Sequence, residues 1–508
     1  MNAPLNMSLV ARTAETTIDS IFRITAARTP ETVALIDPPN RETITGQAPR
    51  QFTYAQADRA IDAMAARLRQ IGLPTGTVVG IQSPHVTESI LTLLAVTRAG
   101  MVPALLPLLW RRSDCVAALS RAGARAIVTS GQVGDMDHAR LALDIAAELF
   151  PIRVVCGFGC SRTEGIVPFD DCLRADDADV VPAGPYGETA STAVITFDMR
   201  ADGPAPVLRD HGQLLAGGML VQHRSAIETG AVLLSTIPAT SFAGLTASVM
   251  PWLLSGGTLA LHHPFEPDLL IRQIADLRCN VAIVPEALLP ALMDAKAFDA
   301  TDTLRTVVAL WRSPERFAPA SRWQADRPML CDVVAFGEVG ILAAMRPANG
   351  HPTGWPLGNV DITTHERAVT LAHVARTSSG TLGLGGVLAA APLRQHDAEP
   401  STTHESGPDI VDTGYPCRPT MDQRALVVTA SPAGLVNVGG YRFSINDLQA
   451  QIRMIENNGV LAAFPHALCG YRLAGHAINF AAVRKTLEEA GSNPLICNAF
   501  HDRLPSSR

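Results

Sequence analysis

A chain of 508 residues is longer than one average domain, so two or three are expected. Hydrophobic residues make up 47% and charged residues 18%, which excludes a largely disordered chain. A formal net charge of -7 with no clustered basic stretch argues against nucleic-acid binding.

Only two of the 41 basic residues are lysines, Lys296 and Lys485, which leaves few candidates for a catalytic lysine. The nine cysteines are scattered without framework spacing and suggest reduced, cytoplasmic thiols. Cys156 and Cys160 lack a second ligand pair at zinc spacing. His262 and His263 adjoin Pro264 and read as surface loop residues. Met1 to Ser20 carries no apolar core flanked by basic residues, so no secretion signal is expected. No apolar run reaches the ~18 residues that a membrane helix needs. The expectation is a cytoplasmic protein with no membrane span.

Taken in order, Phe52-Thr53-Tyr54 leads into a helix with Ile61, Met64, Ala65 and Leu68 at i, i+3, i+4 and i+7. Gly72 closes it, and Thr77 to Ile81 forms a short buried strand. Ser83-Pro84 then opens a helix that runs to about Ala99, with serine as its cap. Met101 to Leu106 is a strand, Cys115 to Ala122 a helix and Ala126 to Ser130 a strand. That alternation predicts an α/β domain with mainly parallel strands.

Ser191 to Phe197 is strand-like and Gln213 to Val221 is a possible helix. The loop between them has the placement of a phosphate grip but the wrong content. It holds one glycine (Gly203), two prolines that lack N–H groups (Pro204, Pro206), two carboxylates (Asp198, Asp202) and no lysine. Leu233 to Pro238 and Ala247 to Leu261 follow. Arg305 to Leu310, Met329 to Val334 and Ala343 to Asp361 form a third α/β block. Leu393 to Pro408 is a polar loop. Val436 to Arg508 is a compact α+β stretch. There are no internal repeats.

The frame I-T-F-x(5)-G-P-x-P, followed by H-G-Q-L-L-A-G-G, resembles the phosphate-loop region of the adenylate-forming superfamily. That superfamily holds acyl-CoA synthetases, aryl-CoA ligases, peptide-synthetase adenylation domains and luciferases. The resemblance covers almost the whole chain. It implies a large N-terminal multi-sheet α/β domain over residues 1–430 and a small C-terminal α+β lid over residues 431–508. It also implies Mg-ATP and CoA as cofactors, and activation of a carboxylic acid through an acyl-AMP.

The family's site residues carry over unevenly. Its loop is rich in Ser, Thr and Gly and ends in Pro-Lys-Gly; here Asp198 to Asp202 and Pro206 take those places. Arg200, Gly203 and Arg209 remain as phosphate-binding candidates. Phe336-Gly337-Glu338-Val339-Gly340 resembles the Tyr-Gly-x-Thr-Glu-x-Gly region, whose glutamate supports Mg²⁺ and the α-phosphate. Glu338 is therefore the candidate catalytic and Mg²⁺-binding residue. Val334 and Gly337 occupy the Tyr and Thr positions, and a local cap or ion pair is the alternative for Glu338.

Val411-Asp412-Thr413-Gly414-Tyr415 resembles the Thr-Gly-Asp motif that holds the ribose. Tyr415 replaces the aspartate, and Asp412 is a nearby substitute that a strand would point the other way. Ser241 and Phe242 fall where the family has its acyl-pocket wall, a stretch that core packing explains equally well. Gly439-Gly440-Tyr441-Arg442 resembles the turn lining the CoA channel; a hairpin would need the same glycines. Ser431, Ala433 and Asn437 replace the hinge arginine, hinge aspartate and lysine. His501 to Arg508 reaches the segment before the family's terminal lysine, and Lys485 reads as a solvated helix residue.

Losing one preorganised charge donor typically costs ~3–4 kcal/mol of barrier. The altered positions therefore predict that carboxylate activation is lost or strongly changed, with an acyl compound, a nucleotide or a protein partner bound instead. The alternative is an active acyl- or aryl-CoA (or carrier-protein) ligase with non-standard residues, using Glu338, His211 and loop arginines. A third reading is a transferase that accepts a preformed acyl thioester. A homodimer would be unsurprising.

Overall fold

A computed structural model describes residues 16–174, 191–200, 203–320, 322–324, 328–364, 367–393 and 409–501. Two α/β sheets form the bulk. One has eight strands in the spatial order Gly340–Met345, Met329–Phe336, Thr306–Trp311, Val281–Pro285, Val232–Ser235, Thr258–Leu261, Val33–Ile36 and Gln51–Thr53. Its interior pairs are parallel, and antiparallel strands stand at both edges. The other runs Gly203–Asp210, Thr192–Arg200, Val102–Leu105, Val78–Gln82, Ala126–Ser130, Val154–Phe158 and Ile166–Pro168.

Helices Ile18–Arg28, Tyr54–Gln70, Thr87–Arg98 and His211–Arg224 pack between these sheets as one apolar core. The periodicity of Tyr54–Gln70 places Ile61, Met64, Ala65 and Leu68 there with no exposure at all. A six-stranded antiparallel sheet over Trp355–Val428 flanks the eight-stranded one. The C-terminal unit is a four-stranded antiparallel sheet, Leu435–Ser444 and Val460–His476, covered by Ile445–Ile455 and Phe480–Glu489 around its own small core. No helix among the described residues is long and apolar enough to cross a membrane.

Two local expectations fail for tertiary reasons. The helix expected at Ser83 starts at Thr87, where the Thr87 N–H donates to Asp37 Oδ1 at 2.8 Å. A carboxylate fifty residues away in sequence does the work of a local cap. His262 is buried, not on the surface: its Nδ1 meets Gln273 Oε1 at 3.0 Å and its Nε2 accepts the Glu266 N–H at 3.1 Å. His263 is largely enclosed too, and burial lowers its pKa to about 4. Within the third block, Arg305 to Leu310 and Met329 to Val334 correspond to strands Thr306–Trp311 and Met329–Phe336, and Ala343 to Asp361 runs through strands and loop. The polar stretch beyond Leu393 and the last seven residues lie outside the described residues.

Candidate active site

The segment expected to be a loop is a β-hairpin. Thr192–Arg200 pairs antiparallel with Gly203–Asp210, from Ile195 against Leu208 to Arg200 against Gly203. Ladder pairing occupies backbone groups that a phosphate loop would leave free. Pro204 and Pro206 fit because Gly203–Asp210 is the edge strand of its sheet, where missing N–H groups break no interior ladder. Helix His211–Arg224 begins at Asp210, whose carboxylate accepts the Gln213 N–H while the Gln213 side chain returns to the Asp210 N–H. This Asp-x-x-Gln capping box was present in the sequence and locates the helix start.

A cavity of about 460 Å³ opens between the large region and the C-terminal unit. It lies beyond the carboxyl ends of three parallel strands, and its walls include Pro285, Leu310 and Ala335. Of the sequence candidates, Glu338, Gly337, Ser241, Gly439, Gly440 and Tyr441 line it together. Arg200, Gly203, Arg209, Phe242 and Asp412 do not.

Glu338 is almost fully buried, and its Oε2 accepts the Phe242 N–H at 2.8 Å. Burial raises its pKa, and the nearby Asp198 charge pushes in the same direction. Arg209 is committed to backbone: it donates to the carbonyls of Leu388 (3.0 Å), Glu338 (2.6 Å) and Val339 (2.9 Å). Its guanidinium lies 3.6 Å from the centre of the Phe242 ring, and desolvation lowers its pKa to about 10. Arg209 thus clamps the segment carrying Glu338. The His211 Nδ1 accepts the Ile18 N–H at 3.3 Å, and burial lowers its pKa to about 4. Asp412 accepts from Thr381 Oγ1 (2.6 Å), Ser379 Oγ (2.9 Å) and the Gly414 N–H (2.8 Å). Burial pushes its pKa up, and these donors together outweigh that and hold it below the usual carboxylate range.

The sequence reading missed two arginine contacts. Arg442, in the Gly439-Gly440 turn, donates to Asp198 Oδ1 at 2.7 Å and also to the Tyr415 hydroxyl. Its guanidinium packs so closely on Gly337, at φ +60°, that a side chain there would collide with it. Arg312 donates to the Gly440 carbonyl at 3.0 Å and to Ser241 Oγ at 3.2 Å. Around it, Asn437 Nδ2 donates to the Arg312 carbonyl at 2.7 Å, and the Tyr441 hydroxyl accepts the Leu109 N–H at 3.2 Å. One signal pointed to Arg312: a charged residue directly after the buried run Thr306–Trp311, at the carboxyl end of a strand. Glu286, on another cavity wall, has its pKa raised to about 7 by burial. Among the described residues no group of three or more His, Cys, Asp or Glu side chains is placed to hold a metal ion.

Residues 22–181 match the family model described as AMP-binding enzyme. The chain is 25% identical over 305 residues to a beauvericin nonribosomal cyclodepsipeptide synthetase of Gibberella fujikuroi, covering 58% of this chain and 9% of that much longer protein. It is 23% identical over 500 residues to a 2-hydroxy-7-methoxy-5-methyl-1-naphthoate–CoA ligase of Streptomyces carzinostaticus, covering 92% of this chain and 85% of the ligase. Among solved structures, an amide bond synthetase from Marinactinospora thermotolerans superposes with a TM-score of 0.69 at 16% identity, over 95% of this chain and 94% of the other.

Proposed function

We propose, for a chain that belongs to the adenylate-forming superfamily, that the cavity binds an acyl or aryl compound while ATP-dependent activation is lost or strongly altered. The observation that carries this reading is the Asp198–Arg442–Tyr415 bridge. By the resemblance, Asp198 belongs to the phosphate-loop cluster and Tyr415 stands at the ribose aspartate. Both positions are tied to each other through a lid arginine instead of facing a nucleotide.

The residues present do not fit Mg-ATP in this arrangement. The hairpin uses its backbone in ladder bonds, and Asp198 would repel a triphosphate. Arg442, a cation on the cavity wall beside the hairpin, is already neutralised by Asp198. Burial favours the protonated form of Glu338, which weakens it as a ligand for a hard cation. What remains is a volume within the 300–1,000 Å³ usual for small-molecule pockets.

Titration calorimetry of the full-length protein with Mg·ATP, AMP and an acyl-AMP mimic tests this. We expect no binding at millimolar nucleotide. Binding of Mg·ATP that disappears in Glu338→Ala would overturn the reading. That outcome would support the second reading, an active acid–CoA or acid–carrier ligase with non-standard residues. Similarity to the naphthoate–CoA ligase along 92% of the chain favours that alternative.

A further inference from the structure

Two carboxyl groups, Asp114 and Glu286, sit where the C-terminal unit meets the large region and lack a closely paired arginine. Acids deep in the large region have one: Asp19 meets Arg98, Asp37 and Glu88 meet Arg41, and Asp332 meets Arg346. Asp114 Oδ2 is enclosed and has no hydrogen-bond partner among the described residues. Glu286 reaches Arg316 Nη1 only at 3.9 Å. Glu338 borders the same boundary but accepts the Phe242 N–H inside the large region.

Both places are contact points of the C-terminal unit. Beside Asp114, Ser113 donates its N–H (3.3 Å) and its hydroxyl (2.8 Å) to the Gly491 carbonyl. Arg112 donates to the Glu489 carbonyl at 3.2 Å. Beside Glu286, Arg316 donates to the Ala467 carbonyl at 3.1 Å, and Leu468, Cys469 and Gly470 stand on the same cavity wall. The chain enters the unit once, through residues 429–434, and the unit has its own apolar core. Such a unit, held largely by hydrogen bonds at its boundary, can part from its neighbour without unfolding.

We propose that docking of the C-terminal unit is proton-linked: it closes over neutral Asp114 and Glu286 and loosens as they ionise. Ionised Asp114 gains water at Oδ2 when the boundary opens. Ionised Glu286 draws Arg316 away from the Ala467 carbonyl and pulls likewise on Arg312, which holds the Gly440 carbonyl. Around Asp114 lie Arg111, Cys115 and, behind Arg111, His138, which burial holds at about 4 and so uncharged. The C-terminal unit brings Tyr441, Cys497 and Glu489 there, and Arg112 pairs at 4.0 Å with Glu148 of the neighbouring helix. Around Glu286 lie Arg312 and Arg316, with Asp198, Glu338, Arg442 and Cys469 on the other cavity walls.

Burial pushes Asp114 up to about 6 and Glu286 up to about 7, with Arg111 and Arg316 offsetting part of the effect. Enclosure is what raises them, so closing takes up protons. Closure is at full strength below the ordinary values of 3.8 and 4.5 and is lost as pH rises through about 6 and about 7. Closure of this kind does not depend on what the cavity binds.

Amide hydrogen exchange of the full-length protein reads the opening, because the Leu109 N–H donates to the Tyr441 hydroxyl and the Ser113 N–H to Gly491. After division by the intrinsic exchange rate, the opening constant at these amides should rise ~100-fold between pH 5.5 and pH 8.0. Amides of the interior strand Ala126–Ser130 should exchange far more slowly, which shows that the unit opens alone and that each variant is folded. Glu286→Gln should remove ~25-fold of the rise, Asp114→Asn ~4-fold and the double variant nearly all of it. An opening constant that does not change with pH in the unaltered protein overturns the inference. So does a rise that persists in the double variant, or opening at Leu109 and Ser113 that occurs only together with Ala126–Ser130.

Discussion

Arg442 and Arg312 both border the same cavity, the first carried by the C-terminal unit and the second by the large region. Arg442 is paired with Asp198, and both side chains are 12% exposed. Arg312 touches only a hydroxyl and a carbonyl. A paired, enclosed arginine is a structural joint, because removing it strands a carboxylate. One bonded only to neutral oxygens strands no charge when it is removed. The two arginines thus join the same two regions differently, one through an ion pair and the other through neutral oxygens alone.

Substitutions on the two sides should differ in what they cost. Arg442→Ala leaves Asp198 without its partner and should lower unfolding free energy by about 3–4 kcal/mol, read from the urea midpoint. Combining it with Asp198→Asn should recover part of that loss, and no recovery would break the joint reading. Glu286 comes next. Its folded-state pKa of about 7 is above the ordinary carboxylate value, so its stabilising contribution is full below about 4.5. That contribution is lost as pH rises through about 7. Measured by urea unfolding at pH 4.5 and 7.5, Glu286→Gln should therefore gain on the unaltered protein by about 2–3 kcal/mol across the window. The smallest effect belongs to Arg312→Gln, about 1–2 kcal/mol for two hydrogen bonds to neutral groups. A loss as large as that of Arg442→Ala would erase the distinction between the two sides.

Much of the fold was legible because its signals are local. Ala126–Ser130 reads as a strand and is one, with every residue buried. The helix containing Cys115 runs Arg112–Ala122 and ends at Gly123 in the left-handed conformation. The site was legible only in part. Glu338, Ser241 and the Gly439-Gly440-Tyr441 turn do meet at one cavity, though they are nearly two hundred residues apart at the extremes.

The contacts that define the cavity's character join Arg442 to Asp198, 244 positions away, and Arg312 to Gly440, 128 positions away. No periodicity or cap signals such pairs. The hairpin was hidden for another reason: two prolines and a glycine read as a loop unless the strand is known to lie at a sheet edge.

That edge has a consequence for solubility. Gly203–Asp210 ends the seven-stranded sheet, and an uncovered sheet edge is a template on which a second chain can add, but this one is covered: Arg121 Nη1 donates to the Pro204 carbonyl at 3.2 Å and the Leu393 N–H to the Pro206 carbonyl at 3.0 Å. Pro204 and Pro206 are buried beneath those contacts and carry no N–H that would need a partner there, so covering segments and missing donors together close the edge to a second chain. Restoring a glycine- and lysine-rich loop here would have to reckon with colloidal behaviour before catalysis.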